Sequence, residues 1–113
     1  MKLSSKTEGI TYGELYDTRH PVVLDRRAVK TGSSVAWGQV VKAGTDGAVE
    51  PAASGDASYY GVACENVTQS ADTTHVTIVV HGTVKRDKVK IGEAELTEAD
   101  VQKLKTAGIY ALN

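Results

Sequence analysis

The sequence predicts a mainly β (α+β) fold: a small β-barrel or β-sandwich-like domain with one short C-terminal helix and a flexible N-terminal arm. Three observations lead there. The chain has one Trp, five Tyr and no Phe, so its core falls to Val, Ile, Leu and Ala. Valine is abundant, and β-branched side chains favour the pleated backbone. The apolar runs are short and separated by Gly, Asp and Ser clusters, while a single stretch carries both a helix start and a helix stop signal.

The chain, 113 residues long, is read as one domain with an arm. Residues 1–20 are polar and charged, with too little apolar surface to offset the entropy of ordering them. They are expected to form a flexible arm, and residues 21–113 the β-rich domain. Within the arm, "GITYGELY" would place Ile10, Tyr12 and Tyr16 on one side if extended, a pattern that suits strand addition to a partner.

In the domain, Pro21 biases His20 away from helix, and Val22–Leu24 reads as a short strand. Val35–Val41 is strand-like, although Gly38 inside it suggests a bulge or a close backbone approach. Thr45-Asp46-Gly47 reads as a hairpin turn, because Asp-Gly tolerates positive φ. Val49-Glu50-Pro51 follows as an edge strand, since proline cannot donate to a central ladder. Tyr60–Ala63 and His75–Val80 read as two core strands joined by a polar surface loop at 65–74. On the second, Val76, Ile78 and Val80 share one face, while His75, Thr77, Val79 and His81 share the other. Trp37, Val62, Val76, Ile78 and Val80 are the expected scaffold; Trp37 is read as a core anchor, with an intersubunit contact as the alternative. Gly82 permits a bend before "TVKRDKVKI", read as a further strand or ribbon.

The helix follows from its ends. Thr97 is the N-cap, and Asp100 stands where a capping box needs an acceptor. Leu96 and Val101 form a hydrophobic staple. Glu98 and Asp100 suit the positive end of the helix dipole, Lys103 and Lys105 the negative end. Gly108 supplies the left-handed residue that stops the helix, and "IYALN" returns as a strand.

Composition narrows the function classes. Charge is balanced, 13 Lys+Arg against 14 Asp+Glu, which argues against a nucleic-acid binder. "KRDKVK" at 85–90 is the one basic cluster, and strand alternation would leave only three charges on a face. No apolar run reaches membrane-span length, and the first 20 residues have no apolar segment of the kind a secretory signal needs. A single cysteine excludes an internal disulfide.

No constellation for catalysis is apparent. His75 and His81 would lie about 20 Å apart along a strand, too far to share one metal. Cys64, beside Val62 and Ala63, reads as an interior thiol rather than a nucleophile. No phosphate-binding glycine loop, nucleophile elbow or H-E-x-x-H helix occurs. Glu93, Glu95, Glu98 and Asp100 read as helix-end electrostatics and solvated surface. The expectation is a protein that is no enzyme and takes no metal or cofactor.

The order of elements resembles a known family. An apolar "VVLD" follows a polar arm, and "VAWGQVVKAGTDG" comes next. "YYGVACENVTQSADTTHVTIVVHGTVKRDKV" then has a Gly-Val-x-x-Glu-x-Val strand, a polar loop and a valine-rich strand ending at Gly. A short helix and a "GIYAL" ending close it. Over about residues 20–113 this is similar to the head decoration, or capsid cement, proteins of tailed bacteriophages, the family typified by the lambda decoration protein. The resemblance implies a homotrimer on the outside of the expanded head, at threefold and quasi-threefold positions, reinforcing the shell against packaged DNA. It implies the major capsid protein as partner, contacted through the arm, with Ile10, Tyr12, Leu15 and Tyr16 as apolar anchors. It places the protein on the outer capsid surface, and in the host cytoplasm during assembly, with no nucleic-acid or membrane partner. A tail- or fibre-associated trimeric module is the alternative.

Overall fold

The structure, a computed structural model, describes residues 22–44, 46–68 and 74–112. The arm, with Ile10, Tyr12, Leu15 and Tyr16, lies outside the described residues, as does most of the tip of the 65–74 loop. The described chain is mainly antiparallel β with one helix, as its valine content and its single set of helix caps foretold.

Strand β1 (Val23–Ala28) is followed by β2 (Val40–Ala43), β3 (Val49–Pro51), β4 (Gly61–Ala63) and the 11-residue β5 (His75–Lys85). A 3₁₀ turn (Arg86–Lys88) leads to β6 (Lys90–Ile91) and β7 (Ala94–Glu95), then helix α1 (Glu98–Thr106) and β8 (Ile109–Leu112). The main sheet runs β1-β5-β4-β2-β3, and β8 adds to β5 in parallel; β6 and β7 form a separate small hairpin. β5 is thus shared: His75–His81 pair with β1, Ile78 and Val79 with β4, and Gly82–Lys85 with β8. Gly82, with φ of +123°, marks the change from the first partners to the last.

Both faces of this sheet are covered. Val40, Val62 and Val79 are cross-strand neighbours and belong to the larger core, with Val84, Val89, Leu104 and Ile109. Val41, Ala63, Val76 and Ile78 point the other way, into a smaller core with Val29, Val35 and Val49. The alternation expected along β5 holds: Val76 and Ile78 are buried on one side, Val80 is half-buried on the same side, and Val79 is buried opposite. An isolated parallel bridge joins Val29 to Val49, and the Lys30 amide donates to the Val49 carbonyl at 2.8 Å. It ties the chain after β1 back to the far edge, so the sheet curls around the smaller core. One bridge is not a ladder, and the barrel does not close.

Several segments differ from the sequence reading. The strand expected over Val22–Leu24 runs from Val23 to Ala28, because the charged pairs after Leu24 are held by side-chain partners on the sheet surface. The strand expected over Val35–Val41 is a bridge at Val35, a turn at Trp37-Gly38, and a strand only from Val40. Gly38 is the cause: its φ is +82°, and a Cβ there would stand 2.4 Å from the Lys88 carbonyl oxygen. Of the segment 83–91, expected as a further strand or irregular ribbon, residues 83–85 continue β5, Arg86–Lys88 form the 3₁₀ turn and Lys90–Ile91 are β6, so a single strand alternation does not sort the charges of 85–90. Pro51 sits in the edge strand, as expected, and α1 is capped by Thr97 and followed, after Ala107, by Gly108 with φ of +94°.

Gly61 is tight for a different reason. A Cβ there would meet Ile78 Cγ2 and the Val79 carbonyl oxygen, each at 2.4 Å. A Gly61→Ala substitution should therefore cost about 2 kcal/mol by forcing β4 off β5, seen as a lower urea midpoint with an unchanged slope.

Candidate functional site

The expected scaffold residues are placed as follows. Val62, Val76 and Ile78 are fully buried; Val80 and Trp37 are half-buried, packed against the smaller and larger core respectively. The Trp37 amide donates to Asn66 Oδ1 at 2.8 Å, which anchors the turn to the 65–74 loop. Its indole Nε1 is buried and meets no hydrogen-bond acceptor among the described residues.

Among the described residues, the cysteine and the histidines do not converge. Cys64 is fully buried, and burial pushes its thiol up to about 12, which leaves it protonated and inert as a nucleophile. His75 and His81 are exposed at opposite ends of the β1-paired part of β5. Among the described residues, no group of three or more His, Cys, Asp or Glu side chains is placed to hold a metal. Within 85–90, Arg86 pairs with Glu98 at 2.9 Å and Lys90 with Glu95 at 3.8 Å, so the basic cluster is partly neutralised by the acids of the helix approach.

Among the described residues two polar clusters are organised, and both contain a tyrosine of the Tyr59-Tyr60 pair. On the larger-core side Asp100 is only 2% exposed, so it is not the solvated helix-end acid that its position suggests. Its carboxylate accepts from the Thr97 amide (3.0 Å), the Thr97 hydroxyl (2.9 Å), the Tyr59 phenol (2.8 Å) and the Ser54 hydroxyl (3.2 Å). In return the Thr97 oxygen accepts from the Asp100 amide, completing the capping box. Burial works to raise this carboxyl, but the hydrogen bonds from Thr97 and Tyr59 outweigh it and hold it below the usual range. Tyr59 is pushed up to about 12, first by burial and then by its bond to Asp100. Lys103 lies over the Tyr59 ring at 5.0 Å and donates to the Asp56 carbonyl, fastening the loop between β3 and β4 to the helix. An open pocket of about 390 Å³ lies between the end of this loop and the helix, lined by Ser58, Tyr59, Lys103 and Thr106.

On the other face Asp25 accepts from the Tyr60 phenol at 2.5 Å and from Arg27 Nε at 2.9 Å. Arg27 Nε also donates to the Tyr60 oxygen at 2.9 Å, and its guanidinium lies 5.1 Å from the ring centre. The Tyr60 bond, then Arg27, hold Asp25 below the usual carboxylate range. The other oxygen of Asp25 accepts from the Arg26 amide at 2.8 Å. Arg26 itself turns to Glu65 (3.3 Å) and Thr77 (3.1 Å). Sequence reading missed this cluster. The signal was Asp-x-Arg on a strand, which puts both side chains on one face, but nothing in the sequence says that Tyr60 meets them.

The chain matches no family model, and no curated protein matches it.

Asp100 gives the domain a defined acid limit. Its folded pKa is depressed, so its contribution is present above the unfolded value of about 3.9 and is lost as pH falls through the folded value. The urea midpoint of the protein should drop on acidification below about pH 4, and Asp100→Asn, less stable at pH 7, should show a flatter profile over that range. Thr83 supplies a contrasting case: it is fully buried and its hydroxyl has no hydrogen-bond partner among the described residues. Thr83→Val should stabilise the fold by about 1 kcal/mol, read as a higher urea midpoint.

Proposed function

We propose that this protein is a capsid decoration protein of a tailed bacteriophage, acting as a homotrimer on the outer surface of the expanded head and stabilising it against DNA-packaging pressure. The observation that carries the reading is the order of elements. The polar arm, "VVLD", "VAWGQVVKAGTDG", the Gly-Val-x-x-Glu-x-Val segment, the polar loop, the valine-rich run to Gly82, the short helix and the "GIYAL" ending stand in the order of the family that the sequence resembles. The β-rich architecture with one helix agrees with that resemblance. The buried, protonated Cys64 and the separated His75 and His81 suit a structural role.

In this reading the major capsid protein is the partner. Ile10, Tyr12, Leu15 and Tyr16 are the apolar anchors of the arm, which adds a strand to the extended loop of that partner. Three arms on one trimer multiply a modest contact through effective concentration, and the trimer selects the lattice in which all three reach their sites. Binding one lattice state and not another stabilises that state by mass action.

Co-sedimentation with purified expanded heads that lack the protein tests this. The full chain should saturate at about three copies per threefold position. A full-length Ile10→Asp/Tyr12→Asp double substitution should weaken binding at least about tenfold, since each arm loses its apolar anchors three times over in the trimer. Binding unaffected by the substitutions would reject the arm residues and keep the function. Absence of binding by the unaltered chain would reject the function and turn attention to a tail-associated module.

A further inference from the structure

Tyr59 and Tyr60 are consecutive, yet they serve opposite faces of the sheet. Tyr59 packs in the larger core and donates to Asp100 of α1, while Tyr60 packs on the smaller core and donates to Asp25 of β1. Nothing flexible separates the two rings. The Tyr60 amide donates to the Val41 carbonyl at 2.8 Å, and the next residue, Gly61, pairs with Val41 as the first of β4. One peptide unit thus joins two carboxylate knots that belong to distant parts of the sequence.

The two knots differ in solvent access. The side chains of Arg27 and Asp25 are 42% and 37% exposed, so water competes for the outer knot. In the inner knot the Asp100 carboxylate and the Tyr59 ring are buried, so water replaces their bond less readily, although Ser54 and Thr97 at its rim are exposed. Asp25 also lies three residues after Val22, where the N-terminal segment enters the described fold.

We propose that the Tyr59-Tyr60 pair couples the root of the N-terminal segment to the cap of helix α1. Opening the outer knot, by displacement of β1 at Asp25, releases the Tyr60 phenol. The backbone at 59–60 then shifts, the Tyr59 phenol withdraws from Asp100, and the first turn of α1 loosens. The coupling is reciprocal, as linkage between two sites requires. It needs only that something load or release the segment before Val22, and so it does not rest on the decoration reading.

Hydrogen exchange of the full-length chain tests the coupling. Tyr60→Phe keeps the ring and removes the donor. The amides of Asp100 and Val101, which donate to Thr97, should exchange about threefold faster relative to core amides of β5. In the reverse direction, Tyr59→Phe should accelerate the Arg26 amide, which Asp25 holds. Arg26→Ala is the control: it lies on the same strand but bonds to Glu65 and Thr77, not to Tyr60. It should leave the Asp100 and Val101 amides unchanged. Unchanged helix amides in Tyr60→Phe, or equal acceleration in Arg26→Ala, would overturn the proposal.

Discussion

Strand β5 must satisfy three partners and two cores at once, and that requirement sets the positions of the other elements. Its first half lies between β1 and β4, and its second half carries β8. Val76 and Ile78 fill one core while Val79 and Val84 fill the other, all fully buried. Each such side chain contributes about 1.5–3 kcal/mol on burial. A one-residue slip would turn each set toward the wrong core, so the register of β5 is strongly specified. The register then dictates where glycine is required. Gly61 must lack a side chain because Ile78 and the Val79 carbonyl already occupy the space.

The polar clusters are the second layer of that specification. A carboxylate at Asp100 can be buried because four donors surround it, and those donors come from the helix cap and from the loop between β3 and β4. The same hydrogen bonds that lower its pKa therefore fix where α1 sits over the sheet. Asp25 does related work at an edge. Its Oδ1 accepts from the Arg26 amide, a local bond that occupies the backbone donor of an edge strand. At the other edge Pro51 has no amide hydrogen to offer.

Local signals were legible where a residue type has one physical reason to be present. Thr97, Asp100 and Gly108 bounded the helix because capping and left-handed backbone are properties of those residues themselves. Asp46-Gly47 and Pro51 marked the hairpin and the edge for the same reason. The alternation along β5 was legible up to Val80, but not its continuation to Lys85, because Gly82 ordinarily interrupts a strand and here adopts φ of +123° within one. The depth of Asp100 and the meeting of Asp25, Arg27 and Tyr60 were hidden, since they depend on contacts between residues 33 to 46 positions apart. The 3₁₀ turn at Arg86–Lys88 was hidden too, because the Gly38 approach to Lys88 and the Arg86–Glu98 pair are tertiary.

The chain order of the larger core has a consequence for synthesis. Val40, Val62 and Val79 are made early, but Leu104, Ile109 and Ala111, which pack against the same cluster, come from α1 and β8. During vectorial translation the valine face completed by β5 therefore lacks this cover until α1 and β8, which follow it in the chain, have been made. The smaller core, whose residues all lie between Val29 and Ile78, is complete sooner. The order of synthesis therefore lets the smaller core close while the valine face of the larger core still lacks α1 and β8.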